Sequence, residues 1–208
     1  MQLRLIVCIL ALAFCLPAMA QNTQPAYHHN KIAILPFHME IMLQSVRDTS
    51  AEARFRLEVE KGIQCQQRMH DILTEDEDRL LVEIQDIEKT NELLQKAGID
   101  LRKVTFMDPA KISRILGVDA ILTCDIRDRL VQRFQGSPRY HPMTPQQDGL
   151  YLPTGHLHVQ FFDGKSGKKI WKFEDLNNAF NWRKPKQIDK VMTRSFEHVR
   201  SEFPYTKL

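Results

Sequence analysis

The sequence has little of several features that would fix a function class directly. Its 208 residues carry a formal net charge of only +3, and so weak a basic balance does not indicate nucleic-acid binding. A G-x-S-x-G nucleophile elbow, a P-loop and an H-E-x-x-H pair are all missing, although these motifs accompany many hydrolytic and phosphate-binding sites. The sequence therefore predicts neither an enzyme nor a cofactor-dependent protein, and no catalytic residue is assigned.

Long apolar runs are absent apart from one short run at the start. Leu5–Leu16 follows the positive charge of Arg4, is too short to span a bilayer easily, and is followed by Ala18-Met19-Ala20, an A-x-A cleavage pattern. We predict a signal peptide over residues 1–20, cleavage near Ala20, and a periplasmic or secreted protein that is not integral to the membrane. The alternatives are a membrane anchor and a lipoprotein attached at Cys15, where the preceding phenylalanine replaces the small residue that lipoprotein signals need.

Cysteine is also scarce, with four in the chain. Cleavage of the signal would leave only Cys65 and Cys124 in the mature protein. An exported compartment permits a disulfide, and the patterns place Cys65 on a helix and Cys124 at the end of a strand, where the two could face each other. A disulfide between them is one prediction. Two buried thiols that behave as small apolar residues are the alternative.

The rest of the chain alternates between helical and extended patterns. Ala120–Ile126 is apolar on both faces, which is typical of a central strand in a covered sheet, and Gly117 closes the short helix that precedes it. The order β-α-β-α-β-β-β-α predicts an α/β (α+β) fold with a mixed sheet and helices packed on it. We expect a flexible lead over 21–30 and one domain over 31–208. The strands are expected near 31–37, 79–85, 120–126, 156–163 and 168–173, with Val104–Phe106 as a short extended piece.

Residues 134–155 differ in composition from the rest of the domain. They contain four prolines and three glycines together with Tyr140, His141 and Tyr151. A loop this long inside a compact domain is usually functional or disordered, and exposed aromatic residues can anchor a partner. We predict a loop insertion in which Tyr140, His141 and Tyr151 bind a partner. A plain mobile insertion is the alternative.

Two histidines begin the strand that follows the insertion. His156 and His158 are two residues apart and therefore share one face of a strand, as a pair of metal ligands would. The sequence places no third ligand with them, although His141 lies upstream. The pair supports an alternative function, a periplasmic small-molecule or metal-binding protein.

Four segments, taken in order, resemble one group of bacterial proteins. They are Ile32-Ala33-Ile34-Leu35-Pro36-Phe37, then Val82-Glu83-Ile84 with a helix ending in Leu93-Leu94, then Leu116-Gly117-Val118-Asp119-Ala120-Ile121-Leu122, and the hairpin Phe162-Asp163-Gly164-Lys165-Ser166-Gly167-Lys168-Lys169-Ile170-Trp171. This ordered set is similar to bacterial envelope domains of the CsgG, LpoB and TolB N-terminal-like group. It covers most of the mature chain.

The resemblance implies an α/β domain similar to the anticodon-binding fold that is exported and non-catalytic and acts through protein contacts. We therefore expect an interaction module of the cell envelope that serves assembly, regulation or secretion. Its expected partner is an envelope protein, and a homo-oligomer is a further possibility. The chain departs from the group in lacking a lipoprotein box and a pair of membrane-spanning hairpins. These departures weaken the outer-membrane lipoprotein and pore interpretations.

Overall fold

The computed structural model describes residues 28–40, 50–133, 150–178 and 185–207. These contain helices α1 (Ala51–Thr74), α2 (Ile87–Lys96), α3 (Pro109–Leu116) and α4 (Pro185–Glu202), and strands β1 (Lys31–Ile34), β2 (His38–Glu40), β3 (Glu83–Ile84), β4 (Ala120–Arg133), β5 (Leu150–Asp163) and β6 (Lys169–Asn178). The predicted signal peptide and most of the predicted lead lie outside the described residues. None of the helices within those ranges is long and apolar enough to cross a membrane.

The strands form one mixed sheet in the order β3-β1-β4-β5-β6, with β2 also paired to β4. The pairs β1–β3, β1–β4 and β2–β4 are parallel, whereas β4–β5 and β5–β6 are antiparallel. Strand β4 is therefore central, as its apolar sequence predicts. The predicted fold class, a mixed sheet with helices packed on it, is confirmed.

Side chains cap the first turn of three helices. The Ser50 hydroxyl accepts a hydrogen bond from the amide of Ala53 at the start of α1, and Asp86 and Asp108 cap α2 and α3 in the same way. These caps satisfy amides that have no partner inside the helix. Gly117 ends α3 with φ of 66°, a left-handed conformation that glycine adopts without a steric penalty.

The sheet separates two hydrophobic cores. The larger core packs Met69, Ile72 and Leu73 of α1, and Met192, Phe196 and Val199 of α4, against strand residues that include Leu122, Cys124 and Ile126. The smaller core, on the opposite face, includes Leu94 of α2, Ile112 and Leu116 of α3, and Ile121 of β4. Because successive residues of a strand point to opposite faces, the apolar run of β4 supplies both cores.

The first predicted strand is divided in two by Pro36. The amide of Leu35 still donates to β4, but Pro36 has no amide hydrogen and cannot continue the ladder. The amide of Phe37 instead donates to the carbonyl of Gly62 in α1, at 3.3 Å, and pairing with β4 resumes at His38. The interruption thus brings α1 against the sheet.

Three other elements differ from their predicted bounds. The second strand has only two residues, Glu83–Ile84, and Val104–Phe106 forms a 3-10 turn rather than an extended piece. Strands β4 and β5 pair continuously as far as Arg133 and Leu150, so residues 150–155 of the predicted insertion belong to β5. Pro153 lies in this part of β5, opposite Leu130 of β4. Residues 134–149 lie outside the described residues.

The close approach of α1 to the Pro36 interruption predicts that Gly62 cannot be enlarged. A Cβ atom at Gly62 would lie 2.4 Å from the backbone carbonyl oxygen of Phe37, and a backbone atom cannot move aside as a flexible side chain can. Gly62→Ala should therefore destabilise the protein by about 1–3 kcal/mol, measured by chemical denaturation. The control Arg56→Ala removes an exposed side chain of the same helix and should have little effect. Alanine is intrinsically better than glycine in a helix by about 1 kcal/mol, so a stabilised Gly62→Ala protein would contradict the contact.

Candidate functional site

The face of β4 that lines the smaller core becomes polar beyond Ile121. Thr123, Asp125 and Arg127 follow Ile121 on this face by the alternation of a strand, and none of them belongs to a hydrophobic core. Thr123 and Asp125 are buried, whereas the side chain of Arg127 is 38% exposed. This face of the sheet is therefore covered by the smaller core around Ile121 and carries charged side chains at Asp125 and Arg127.

Ionisable residues of neighbouring strands line up across this polar region. The backbone register places His38 of β2 opposite Asp125 of β4, Asp125 opposite His158 of β5, and His158 opposite Glu174 of β6. A second row pairs Glu40 with Arg127 and Arg127 with His156. Residues directly opposite each other share a face of the sheet. We call these seven residues the polar sheet face.

Close contacts join neighbouring polar side chains on the polar sheet face. Arg127 Nε donates to Asp125 Oδ2 at 2.6 Å, and His158 Nδ1 lies 3.9 Å from Glu174 Oε1. The second oxygen of Asp125, Oδ1, is buried and has no hydrogen-bond partner within the described ranges. An unsatisfied buried acceptor is costly. Asp125 therefore keeps one unsatisfied carboxylate oxygen beneath this face.

Exposed aromatic residues adjoin the polar sheet face at His38. The Phe106 ring is 58% exposed and meets the His38 ring edge to face, with 4.6 Å between centroids. His38 Nδ1 lies 3.1 Å from the carbonyl oxygen of Arg102, whose guanidinium stacks 3.8 Å above the ring of Phe55, which is 39% exposed. We call Phe55, Arg102 and Phe106 the aromatic patch.

Sequence reasoning missed the aromatic patch. Its members lie in α1 and in the connection between α2 and α3, so no single stretch of sequence contains them. One local signal of an exposed Phe106 is its place just before Asp108, which caps α3. The chain forms a short 3-10 turn there rather than a strand. Aromatic residues and arginine are the residues that most often dominate protein interfaces.

The structure places the two predicted metal-site histidines together. His156 and His158 lie on one face of β5 with 6.4 Å between ring centroids, as their spacing predicts. Across the described parts of the chain, however, no group of three His, Cys, Asp or Glu residues is arranged to hold a metal ion. His141 lies outside those parts. The metal site therefore stays a prediction.

The predicted partner-binding residues fall mostly where the structure describes nothing. Tyr140 and His141 lie outside the described residues, and Tyr151 is in β5, opposite Gln132 of β4. Their role as partner contacts stays a prediction. The paired strands that carry Tyr151 are continuous with the β4 and β5 segments of the polar sheet face, so any contact made through residues 134–149 begins at the end of that hairpin.

The two cysteines of the predicted mature chain belong to the same core. Cys65 of α1 and Cys124 of β4 are both buried in the larger core, and the structure has no disulfide bond between them. Burial, together with the nearby Cys65 and Asp125, raises the pKa of the Cys124 thiol well above its usual range. A thiol held in its protonated form is a poor nucleophile.

A second cluster of ionisable residues joins the two ends of the described chain. His29 Nε2 lies 3.0 Å from Asp163 Oδ1, and His29 Nδ1 lies 2.6 Å from the Tyr205 hydroxyl. An ionised carboxylate only accepts, so Nε2 donates to Asp163, while Nδ1 and the Tyr205 hydroxyl form a second hydrogen bond. All three residues are at most 7% exposed. We call them the terminal lock; its burial excludes contact with a substrate and indicates a structural role.

The electrostatics of the terminal lock follow from its hydrogen bonds. Burial alone would raise the pKa of Asp163, but hydrogen bonds from Ser166 and His29 outweigh it and lower that pKa to about 2. Burial, with the neighbouring Asp163 charge, raises the pKa of Tyr205 to about 12. At neutral pH the carboxylate is thus ionised and the phenol keeps its proton, which is the combination that this hydrogen-bond chain requires.

Asp119 has a related structural role beside the lock. Its Oδ2 accepts hydrogen bonds from the amides of Asn30 and Lys31, at 2.8 and 3.0 Å, and these bonds lower the pKa of its carboxyl group. The carbonyl of Asp119 accepts from the amide of Gly164 at 2.7 Å. An aspartate beside a tight turn that caps backbone amides is the structural alternative to a catalytic carboxylate.

Comparison with known proteins gives matches only among solved structures, since no family profile and no curated protein matches the sequence. Lipoprotein GNA1162 from Neisseria meningitidis is 13% identical, with a TM-score of 0.39, over 83% of this chain and 99% of that one. The LpoB C-terminal domain from Salmonella enterica is 9% identical, with a TM-score of 0.35, over 72% and 82%. The PelC dodecamer from Paraburkholderia phytofirmans is 14% identical, with a TM-score of 0.42, over 88% and 95%. LpoB, which the sequence resembles, is thus among the matched structures, at low identity and low TM-score.

The lowered pKa of Asp163 predicts a loss of stability in acid. A carboxyl group whose folded pKa lies below its unfolded value of about 3.9 stabilises the fold above that pH. The stabilisation is then lost as the pH falls from about 4 through the folded pKa of about 2. Asp163→Asn should remove this part of the pH dependence, measured as denaturation midpoints between neutral and acid pH. The exposed control Asp76→Asn should keep it, and an unchanged acid slope in Asp163→Asn would contradict the role of the lock.

Burial of the two thiols predicts their reactivity. The native protein should resist alkylation by iodoacetamide, and after unfolding without reductant it should gain two alkyl groups by mass, because the structure has no disulfide between Cys65 and Cys124. Unfolded protein that gains alkyl groups only after reduction would instead demonstrate the disulfide that the sequence left open.

Proposed function

We propose that the protein is an exported, non-catalytic interaction module of the bacterial cell envelope, which binds an envelope protein through the polar sheet face and the aromatic patch. The signal-peptide pattern over residues 1–20 supports export to the periplasm or beyond. The resemblance of four ordered segments to CsgG, LpoB and TolB N-terminal-like domains supports a role in assembly, regulation or secretion.

The observation that carries this proposal is the junction of Phe106 with His38. Burial of an exposed aromatic ring against a partner is a large source of favourable free energy. Phe106 is 58% exposed and is held by an edge-to-face contact rather than left loose. Protein interfaces typically have aromatic anchors at their centre and polar or charged residues at their rim. Phe106 and the polar sheet face match this arrangement.

The charges of the polar sheet face suit selection among partners. Asp125 and Glu174 alternate with His38, His158 and Arg127 across four strands. Mixed charges of this kind add little net affinity, but they fix the orientation of a partner and reject wrong ones.

The proposal also assigns partner contacts to residues 134–149, which connect β4 to β5 in the sequence. Tyr140 and His141, with Tyr151 at the start of β5, supply further aromatic contacts in this proposal. A homo-oligomer would use the same surface, in which case the partner is a second copy of the chain.

The proposal predicts that truncating Phe106 weakens binding without unfolding the protein. Truncation of an interface anchor costs about 2 kcal/mol or more, so Phe106→Ala should lower the affinity for the captured envelope partner at least about tenfold. Capture from envelope extracts with the exported protein as bait identifies the partner, and titration of that partner gives the affinity of each variant.

Leu81→Ala is the matched control, because Leu81 is 53% exposed and lies beside β3 at the far edge of the sheet. The control should bind normally, and both variants should keep the thermal midpoint of the parent. The double variant Tyr140→Ala/His141→Ala tests the hairpin end separately. Equal binding by the parent, Phe106→Ala and the double variant would reject this surface.

A further inference from the structure

The end of the domain that holds the terminal lock also presents exposed cations that none of the sites above uses. They are Lys111 and Arg114 of α3, and Lys165, Lys168 and Lys169 at the turn between β5 and β6. The turn lies directly on the helix: a Cβ atom at Gly164 would be 2.6 Å from Cβ of Ser113, and one at Gly167 would be 3.6 Å from Cβ of Ala110. The five cations therefore occupy adjoining parts of one surface, which we call the basic end.

The charges of the basic end are not neutralised by ion pairs. Within the part of the chain that the structure describes, none of the five takes part in a salt bridge. Two exposed carboxylates lie close by, but Asp108 caps the amide of Ala110, and Asp119 binds the amides of Asn30 and Lys31. Five cations against these two carboxylates and the buried, ionised Asp163 leave a net positive charge at this end.

Acidic residues at the same end of the sheet are too far away to cancel this charge. The acidic turn Glu75–Asp78 precedes β3, and two strands, β1 and β4, separate β3 from β5. Three strand spacings amount to about 14 Å, whereas charges are screened beyond about 8 Å at physiological ionic strength. The basic end therefore meets an approaching surface as a separate patch.

The course of the chain directs the basic end towards a membrane. His29 contacts Asp163, and the amide of Asn30 contacts Asp119, so the chain enters the domain beside the basic end. The apolar run Leu5–Leu16 precedes this point by residues 17–27, which reach at most about 40 Å when fully extended. If that run were inserted in a bilayer, this length of chain would keep the basic end within about 40 Å of the membrane surface.

We propose that the basic end binds the anionic surface of a phospholipid bilayer. Each cation near an anionic membrane strengthens binding about fivefold, so five exposed cations suffice for reversible attachment without a lipid anchor. The attachment depends on charge and weakens as salt increases. It leaves the polar sheet face and the aromatic patch, which lie on other residues, available for a protein partner.

Flotation of the exported protein with vesicles tests this proposal. The protein should float with vesicles of phosphatidylcholine mixed with phosphatidylglycerol, but not with vesicles of phosphatidylcholine alone. The triple variant Lys165→Gln/Lys168→Gln/Lys169→Gln should partition about a hundredfold more weakly onto the anionic vesicles. The control variant Lys89→Gln/Lys96→Gln/Lys190→Gln loses the same net charge from exposed lysines of α2 and α4 and should bind like the parent.

The outcomes distinguish a membrane site from a site for a soluble polyanion and from diffuse attraction by net charge. Failure of the parent protein to float with anionic vesicles at low salt would overturn the proposal, as would equal binding by the two triple variants. Binding of the parent to a soluble polyanion such as heparin, without binding to anionic vesicles, would also overturn it and would assign the basic end to an acidic macromolecule. Thermal midpoints of both variants confirm that they fold, and partner capture by Phe106→Ala is independent of every result here.

Discussion

Two carboxylates at one end of the sheet hold together segments that are far apart in the sequence. Asp163 contacts His29 and, through it, Tyr205, so the start of β1, the β5–β6 turn and the C-terminal segment meet at one buried point. Asp119 fixes the amides of Asn30 and Lys31 at the same end. Both interactions close long loops, whose ordering costs entropy. These contacts lie where β1 and β4 begin and reinforce the register between the two strands.

The opposite end of the sheet carries the proposed binding surface. Beyond Ile121, β4 carries polar residues on one face while Cys124 and Ile126 continue the larger core on the other. The strand is thus anchored by α1 and α4 even where the smaller core has ended. A rigid sheet can hold a row of charged side chains in defined positions, which is what a selective binding surface requires. Phe106 and its contact with His38 add an apolar anchor at the margin of that row.

Patterns of spacing were sufficient to predict most of the fold. The apolar run of β4 forms the central strand. Local sequence also accounts for the helix ends, which are capped by Ser50, Asp86, Asp108 and Gly117. The division of the first strand at Pro36 was harder to predict, because pairing resumes at His38 only through contact with β4 and α1. The polar sheet face and the aromatic patch could not be predicted, since residues from four strands, helix α1 and the connection between α2 and α3 meet there only after folding. Spacing alone placed His156 and His158 on one face, but it could not identify what lies opposite them.

Site-specific photo-crosslinking in the living cell tests the central claim, that the aromatic patch beside the polar sheet face contacts an envelope protein. A photoreactive amino acid replaces Phe106 in one variant and Leu81 in another, both being exposed positions. The account predicts a discrete crosslinked species from position 106, containing an envelope protein or a second copy of the chain, and none from position 81. Crosslinks from position 81 with none from position 106 would contradict it.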